Sequence, residues 1–191
     1  MSGEAGKLKM FSYCPTRHER TVDWPKDLDI CVCVSGAKAE KTAGAMQDYN
    51  NAAFLAFDAA RAYCDADPKG RELRRSGDTF VANRPNLAEI CANLRSKGAT
   101  FEDCRLAVEA TLRNVDDGAT VRPNGAKDGR CYEKGALVRR FDQFFAESER
   151  ILPNLAEALQ NDQRKRIGEL LDESHRRTVS ELRNTIPETA W

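Results

Sequence analysis

The last third of the chain carries apolar residues at helical spacing, and this pattern limits the possible folds more than any other feature. The residues recur every three or four positions, which places them on one side of a helix that must be buried. Pro153 and the pair Asn161-Asp162 interrupt them. We therefore predict a helix that kinks or restarts at Pro153, a turn, and a further helix capped by Asp162 and ended by Pro187. The apolar stripe comprises Leu137, Phe141, Phe144, Phe145, Ile151, Leu152, Leu155 and Leu159, and one face of the next helix is continued by Ile167, Leu170, Leu171, Ser174, Thr178 and Leu182.

An alanine-rich helix is predicted over residues 40–64. Alanine has the highest intrinsic helix propensity and lets a neighbouring helix approach closely. The sequence Asp67-Pro68-Lys69-Gly70 stops this helix. The side that should face other elements carries Ala45, Tyr49, Ala52, Ala53, Ala56 and Ala60.

Two shorter helices follow a polar connection, and each has a capping residue. Asn86 is predicted to cap a helix that runs to Leu94 and is closed by Lys97-Gly98. Thr100 is predicted to cap the helix Phe101–Leu112, with the Asp103 carboxylate in its first turn. Residues 116–130 are rich in Gly, Asp and Asn, which is typical of a flexible loop.

The strand signals are confined to the first 34 residues. Lys7–Cys14 and Arg17–Asp23 flank a Pro-Thr turn and are predicted to form a β-hairpin. Ile30–Val34 is an uninterrupted run of β-branched and Cys residues, which predicts a strand buried on both faces. The expected fold class is α+β and mostly helical, with a hairpin and one buried strand in 1–34 and helices in 35–191.

Composition argues against several classes of function. Thirty basic and thirty acidic residues balance, so the basic surface typical of a nucleic-acid-binding protein is not expected. No apolar run approaches the roughly 20 residues of a membrane span. Seven scattered cysteines without a Cys-x-x-Cys, and only two histidines, do not fit a zinc site. We expect a cytoplasmic protein with reduced, mostly buried thiols and no nucleic-acid or membrane partner.

Two stretches resemble a known enzyme family. Val32–Asn50 is similar to the galactokinase pattern of a hydrophobic strand, a short turn, and a helix with Tyr-Asn near its start. Leu155–His175, followed by Asn184–Glu188, resembles that family's helical pair closing on Glu-Ser-His, with Pro-Glu downstream. The family is the galactokinase branch of the galactokinase, homoserine, mevalonate and phosphomevalonate (GHMP) kinases.

The resemblance implies a two-domain α+β enzyme that binds ATP, Mg²⁺ and a sugar between its domains. Residues 1–34 would then belong to the kinase sheet, and 35–191 to the helical part of the C-terminal domain, ending before its Gly-rich motif. The resemblance also implies that Tyr49 contacts the sugar. The alternative for Tyr49 is a structural role, with its ring packed on the strand. Asn51 to Phe54 stand where the family has an Arg and a Cys, so galactose is not the certain substrate.

The resemblance implies that the catalytic parts lie outside this chain. The family's phosphate loop is rich in Gly and Ser, and no Gly-Gly pair occurs in the 191 residues. We therefore expect a fragment of a sugar kinase in galactose-type metabolism, without catalytic, cofactor-binding or metal-binding residues, and without tight binding of ATP or Mg²⁺. The alternative is a non-catalytic, α-rich interaction module derived from a kinase.

We predict that the 191-residue chain alone has no measurable sugar kinase activity. Phosphoryl transfer depends on groups that position the phosphates and Mg²⁺, and the sequence offers no substitute for them. An ADP-release assay with galactose and a panel of other monosaccharides measures this directly. Turnover clearly above a protein-free control would contradict the prediction.

Overall fold

A computed structural model of the chain describes residues 3–12, 16–36, 44–66, 86–115, 120–121, 132–133 and 135–185, with backbone alone for 44–51 and 120–121. The strands are β1 (Lys7–Ser12), β2 (Arg17–Asp23), β3 (Thr120–Val121) and β4 (Tyr132–Glu133). The α-helices are α1 (Gly44–Ala66), α2 (Leu87–Ser96), α3 (Phe101–Val115), α4 (Ala136–Phe145), α5 (Leu152–Gln160) and α6 (Arg164–Arg177). Two π-helical segments complete the list, the first at Ala146–Ile151 and the second at Thr178–Leu182.

The strands form two small antiparallel sheets. β1 pairs with β2, which confirms the predicted hairpin, and β3 pairs with β4. Together with the predominance of helices, this confirms the α+β class. Of the described helices, α1 is the longest at 23 residues, and none combines the length and apolar character needed to cross a membrane.

The predicted caps of α2 and α3 are confirmed. The Asn86 side chain accepts a hydrogen bond from the backbone N–H of Glu89 at 2.9 Å. Thr100 Oγ1 accepts from the Asp103 N–H at 3.1 Å, and Asp103 accepts in return from the Thr100 N–H at 3.0 Å. This reciprocal pair satisfies N–H groups that the first turn of a helix leaves unbonded. Gly98 ends α2 with φ of +88°, a conformation that glycine adopts without strain.

The main core lies among α1 to α4. Ala59 and Ala60 of α1 are fully buried, and their small side chains let the helices approach closely. The predicted alanine side of α1 is correct at Ala56 and Ala60, whereas Ala53 is exposed. The largest fully buried side chains in these elements are Tyr63, Leu112, Ile90, Leu137, Phe141 and Val108.

Buried polar groups join α1 to the rest of this core. The Tyr132 hydroxyl donates a hydrogen bond to Asp58 at 2.6 Å, and both residues are buried. Arg140 of α4 donates from Nε to the carbonyl oxygen of Ala52 at 3.1 Å. Burial lowers the pKa of Arg140, because desolvation disfavours its charged form.

A second packing region joins the hairpin to the C-terminal helices. Val22 of β2 packs with Ala156 and Leu159 of α5. Pro153 lies in the first turn of α5, directly after the first π-helical segment. The backbone therefore stays helical through Pro153. Of the two predicted outcomes, a kink or a restart of the helix, the structure shows the restart, with Pro153 in the first turn of α5.

The turn between α5 and α6 is present, but its predicted cap is wrong. Asp162 has φ of +51° and its carboxylate binds the Arg164 side chain, while Gln163 occupies the N-cap position without a side-chain cap bond. The predicted end at Pro187 is also wrong. The helix ends at Leu182, where Arg183 takes a left-handed conformation with φ of +54°.

The predicted buried strand at Ile30–Val34 is wrong. These residues form no strand, and Ile30, Val32 and Val34 are 71%, 85% and 85% exposed. A buried strand needs hydrogen-bonded neighbours, and neither described sheet includes this run. The prediction of mostly buried thiols holds for Cys64, Cys91 and Cys104 and fails for Cys31 and Cys33.

Other predictions fall on residues outside the described ranges. These are the start of the first helix at 40–43, its stop at 67–70, most of the loop 116–130, and the Pro-Glu at 187–188. Within that loop, the described pair Thr120–Val121 forms β3.

We expect the same Val→Ala substitution to change the free energy of unfolding differently in the core and in the exposed run 30–34. Val108→Ala removes buried methyl groups from a side chain that is 0% exposed and should lower the free energy of unfolding by about 2 kcal/mol. Val32→Ala should change it by less than about 0.5 kcal/mol, because Val32 contacts mainly water. Urea denaturation measures both, and equal losses would contradict the described exposure of residues 30–34.

Candidate functional site

A polar cleft of about 490 Å³ lies between α3, α4 with the first π-helical segment, and α6 with the second. Both π-helical segments contribute to its lining. Such segments are uncommon and frequently occur at functional sites. We therefore take this cleft as the candidate site. Its lining residues are Phe101, Glu102, Arg105, Asp142, Phe145, Ala146, Glu149, Arg150, Arg177 and Glu181.

The Glu173-Ser174-His175 sequence fixes α6 against the first π-helical segment. Ser174 donates from Oγ to Glu147 at 2.6 Å. Glu173 accepts hydrogen bonds from Arg150 and, at 3.1 Å, from Arg177. These bonds, above all those from Arg150, lower the pKa of Glu173 to about 2. Glu173 and Arg177 lie four positions apart on α6, and their ion pair takes part in a contact between helices.

Each arginine in the cleft lining is bonded to a carboxylate. Arg105 pairs with Glu102 at 2.6 Å and with Glu109 at 2.7 Å. Arg177 pairs with Glu181 at 2.7 Å, and Arg150 pairs with Glu173. The positive charge in the cleft is therefore largely compensated by neighbouring side chains.

Asp142 is the exception among the acidic residues of the lining. Its Oδ1 atom is buried and has no hydrogen-bond partner within the described part of the chain. Burial, with smaller contributions from the charges of Glu109 and Glu181, raises the pKa of Asp142 to about 6. Arg105 and Arg113 oppose this rise only in part. The carboxyl group therefore titrates close to neutral pH, where a side chain can bind a cation or exchange a proton.

The carboxylate of Glu181, another residue of the cleft lining, is also incompletely bonded. Glu181 accepts a hydrogen bond from Arg177 on Oε1, while Oε2 is buried without a partner among the described residues. Two acceptor atoms, on different helical elements of the cleft lining, are thus unbonded among the described residues. Such atoms carry a desolvation cost unless a donor reaches them.

The site residue predicted from the sequence, Tyr49, is not tested by the cleft. Tyr49 belongs to α1, and its side chain lies outside the described part of the chain, so its sugar contact stays a prediction. Among the α1 residues with described side chains, 52–66, none lines the cleft. His175 is half-buried on α6. Across the described ranges, no group of three or more His, Cys, Asp and Glu side chains is arranged to hold a metal ion.

Sequence reasoning missed Asp142, although a signal was present. Val138, Phe141 and Phe145 are buried and define one side of α4. Asp142 follows Val138 by four positions, so it borders the same side of the helix. An acidic residue at the edge of an apolar stripe indicates either a buried partner or a site. Whether Asp142 has a buried partner or belongs to a site depends on the positions of α3 and the second π-helical segment, which the sequence does not give.

Comparisons of this chain with protein-family models, with curated proteins and with solved structures find no match. Function is therefore inferred from the motifs of the chain and from the site.

We expect Asp142→Asn to stabilise the protein in a pH-dependent manner. The folded-state pKa of about 6 lies above the usual 3.8, so the aspartate's contribution to stability is complete below about pH 4 and is lost as pH rises through 6. The shift corresponds to at most about 3 kcal/mol. Because the side chain is only half-buried, we expect a gain of about 1–2 kcal/mol at pH 7.5 and a smaller gain at pH 4.5.

Urea denaturation of both proteins at the two pH values measures this gain. Asp172→Asn is the matched control, because Asp172 is an exposed carboxylate on α6 outside the cleft. A gain that is equal at both pH values, or that the control reproduces, would contradict the unusual environment of Asp142.

Proposed function

We propose that this chain is the helical part of a galactokinase-like sugar kinase, whose complete form transfers the γ-phosphoryl group of ATP to a monosaccharide hydroxyl. The observation that carries the proposal is the order of two motifs. Tyr49-Asn50 lies on the helix after the run 32–34, and Glu173-Ser174-His175 lies on the second helix of the pair α5–α6. The short connection between α5 and α6 agrees with the helical pair that the resemblance implies.

The exposed run Ile30–Val34 gives further support. Three β-branched side chains in water are unfavourable, and contiguous exposed apolar residues usually mark a contact surface. In the complete kinase these residues would be paired within its sheet. The chain's own hairpin packs on α5 and α6 and contributes no neighbouring strand to the run.

The residues of this chain would act by positioning the sugar. A phenol such as that of Tyr49 can bond a sugar hydroxyl and offer its ring to an apolar sugar face. ATP and Mg²⁺ would be held by the phosphate loop and acidic groups of the complete protein. Catalysis of this type consists of positioning and charge stabilisation, so this chain would supply part of the sugar pocket in a cytoplasmic enzyme.

Sequencing the complete transcript, and assaying its full product, tests this proposal. We expect an in-frame upstream segment that encodes a Gly-Gly-Leu-Ser-Ser-Ser-like loop, and we expect its full product to release ADP in the presence of one of a panel of sugars. A transcript that encodes the 191 residues alone, or a full product inactive on every sugar, would contradict the proposal.

A second candidate function is a non-catalytic interaction module. The exposed run 30–34 favours it as well, because a free extended segment can add a strand to the sheet of a partner. The two functions differ in the source of that sheet. In the kinase it belongs to the same polypeptide, whereas in the module it belongs to another protein.

In the full-length enzyme, we expect Tyr49→Phe to raise the KM for the sugar about two- to twelve-fold. This range corresponds to the loss of one hydrogen bond worth about 0.5–1.5 kcal/mol. Steady-state kinetics with the sugar and ATP varied in turn provide the measurement. The KM for ATP serves as the internal control and should stay the same. An unchanged sugar KM, or a shift in the ATP KM alone, would make Tyr49 a structural residue.

A further inference from the structure

The exposed run Ile30–Val34 has nearly the same pattern of residues in both directions. Val32 is at its centre, Cys31 and Cys33 flank it, and a β-branched residue stands at each end. In an extended conformation, successive side chains point to opposite faces. The β-branched side chains would then share one face of the run, and the two thiols the other.

The backbone of the run is accessible to a further strand. All five residues are exposed, and no hydrogen bond joins them to one another or to the rest of the described chain. Unpaired N–H and C=O groups along an extended segment are a template for pairing with another chain. The run contains no charged residue, so it lacks the side chains with which natural edge strands discourage such pairing.

The segment before the run is fixed to the body of the protein. Trp24 packs against the cluster that joins the hairpin to α5, and its Nε1 donates to the carbonyl oxygen of Leu28 at 2.5 Å. Asp27 accepts a hydrogen bond from Arg164 of α6 at 2.5 Å. The run therefore begins from an anchored base, which reduces the entropy that is lost when it pairs.

The pattern of the run matches a second copy of itself. When two copies pair antiparallel about Val32, every residue of each run has a partner, β-branched residues lie opposite β-branched residues, and each Cys31 lies opposite a Cys33. Asp29 then lies opposite Ser35 at both ends, so no like charges face each other. Parallel pairing in register would place Asp29 beside Asp29 of the second copy, which is unfavourable.

We propose that Ile30–Val34 is a self-association surface, on which two copies of this chain form a two-stranded antiparallel sheet with its two-fold axis at Val32. The inference rests on the second candidate function, the interaction module, and names its partner. The sheet is small, because five residues per copy are far fewer than the roughly 20–30 per side of a standard interface. The dimer is therefore weak, with an expected Kd on the order of 0.1 mM.

Sedimentation equilibrium of the 191-residue chain under reducing conditions measures this association. We expect the mean mass to rise from that of a monomer towards that of a dimer between about 10 μM and about 1 mM. Val32→Lys places two ammonium groups opposite each other at the two-fold axis and should weaken association about tenfold or more. Leu171→Lys is the matched control, because Leu171 is an exposed apolar side chain of α6, and it should leave association unchanged.

Thiol–disulfide exchange with glutathione disulfide tests the register. The Cys31 thiolate forms a mixed disulfide and releases one glutathione, and Cys33 of the second copy displaces the other, which leaves one cross-strand disulfide. Opposite residues of antiparallel strands lie about 4.5–5.5 Å apart, a separation that a disulfide spans. Cys31→Ser and Cys33→Ser should each stay uncrosslinked alone and form a covalent dimer when mixed, on a non-reducing gel. Both variants also carry Cys14→Ser and Cys131→Ser, because those thiols lie outside the described residues.

Three results would overturn the inference. They are a mass that stays monomeric at about 1 mM, association of Val32→Lys as strong as that of the unmodified chain, and cross-linking of either single-cysteine variant alone as strong as in the mixture. A monomer would leave a strand of another protein as the partner of the interaction module. The kinase proposal is tested separately by the transcript, so the two failures are distinguishable.

Discussion

The burial of α4 is the constraint on which the rest of the structure depends. This helix contacts α1, α3 and the second π-helical segment, and Leu137 and Phe141 are fully buried between them. A helix enclosed in this way must find partners for its polar residues, because unbonded polar groups are costly away from water. Arg140 finds one in the backbone of α1. The Oδ1 atom of Asp142, a residue of the cleft lining, has no partner among the described residues.

The two π-helical segments connect this core to the C-terminal helices. Each widens the helix where it borders the cleft, and side chains from both line it. Ser174 and Glu173 then bond residues of the first segment. Glu173 and Ser174 therefore have a structural role: they hold α6 against the first π-helical segment. A role in chemistry is not needed to explain these residues.

The exposed run at Ile30–Val34 and the cleft pose different physical problems. The run exposes apolar side chains and backbone that a sheet would satisfy. At the cleft, the Asp142 carboxyl group keeps a buried oxygen, Oδ1, without a hydrogen-bond partner among the described residues. A neighbouring strand would resolve the first problem, whereas the second remains a desolvation cost.

Local patterns in the sequence determined most of the helices and the hairpin. The Asn86 and Thr100 caps, the apolar spacing of 137–159 and the strand β2 could be predicted because their signals lie within a few residues of one another. The exposure of residues 30–34 could not be predicted, because a β-branched run is buried when other strands pair with it and exposed when they do not. Asp142 could not be identified for the same reason. Its environment comes from burial and from Glu109, Glu181 and Arg105, which are distant in sequence, and only the packing of α3 and the second π-helical segment against α4 brings their charges together.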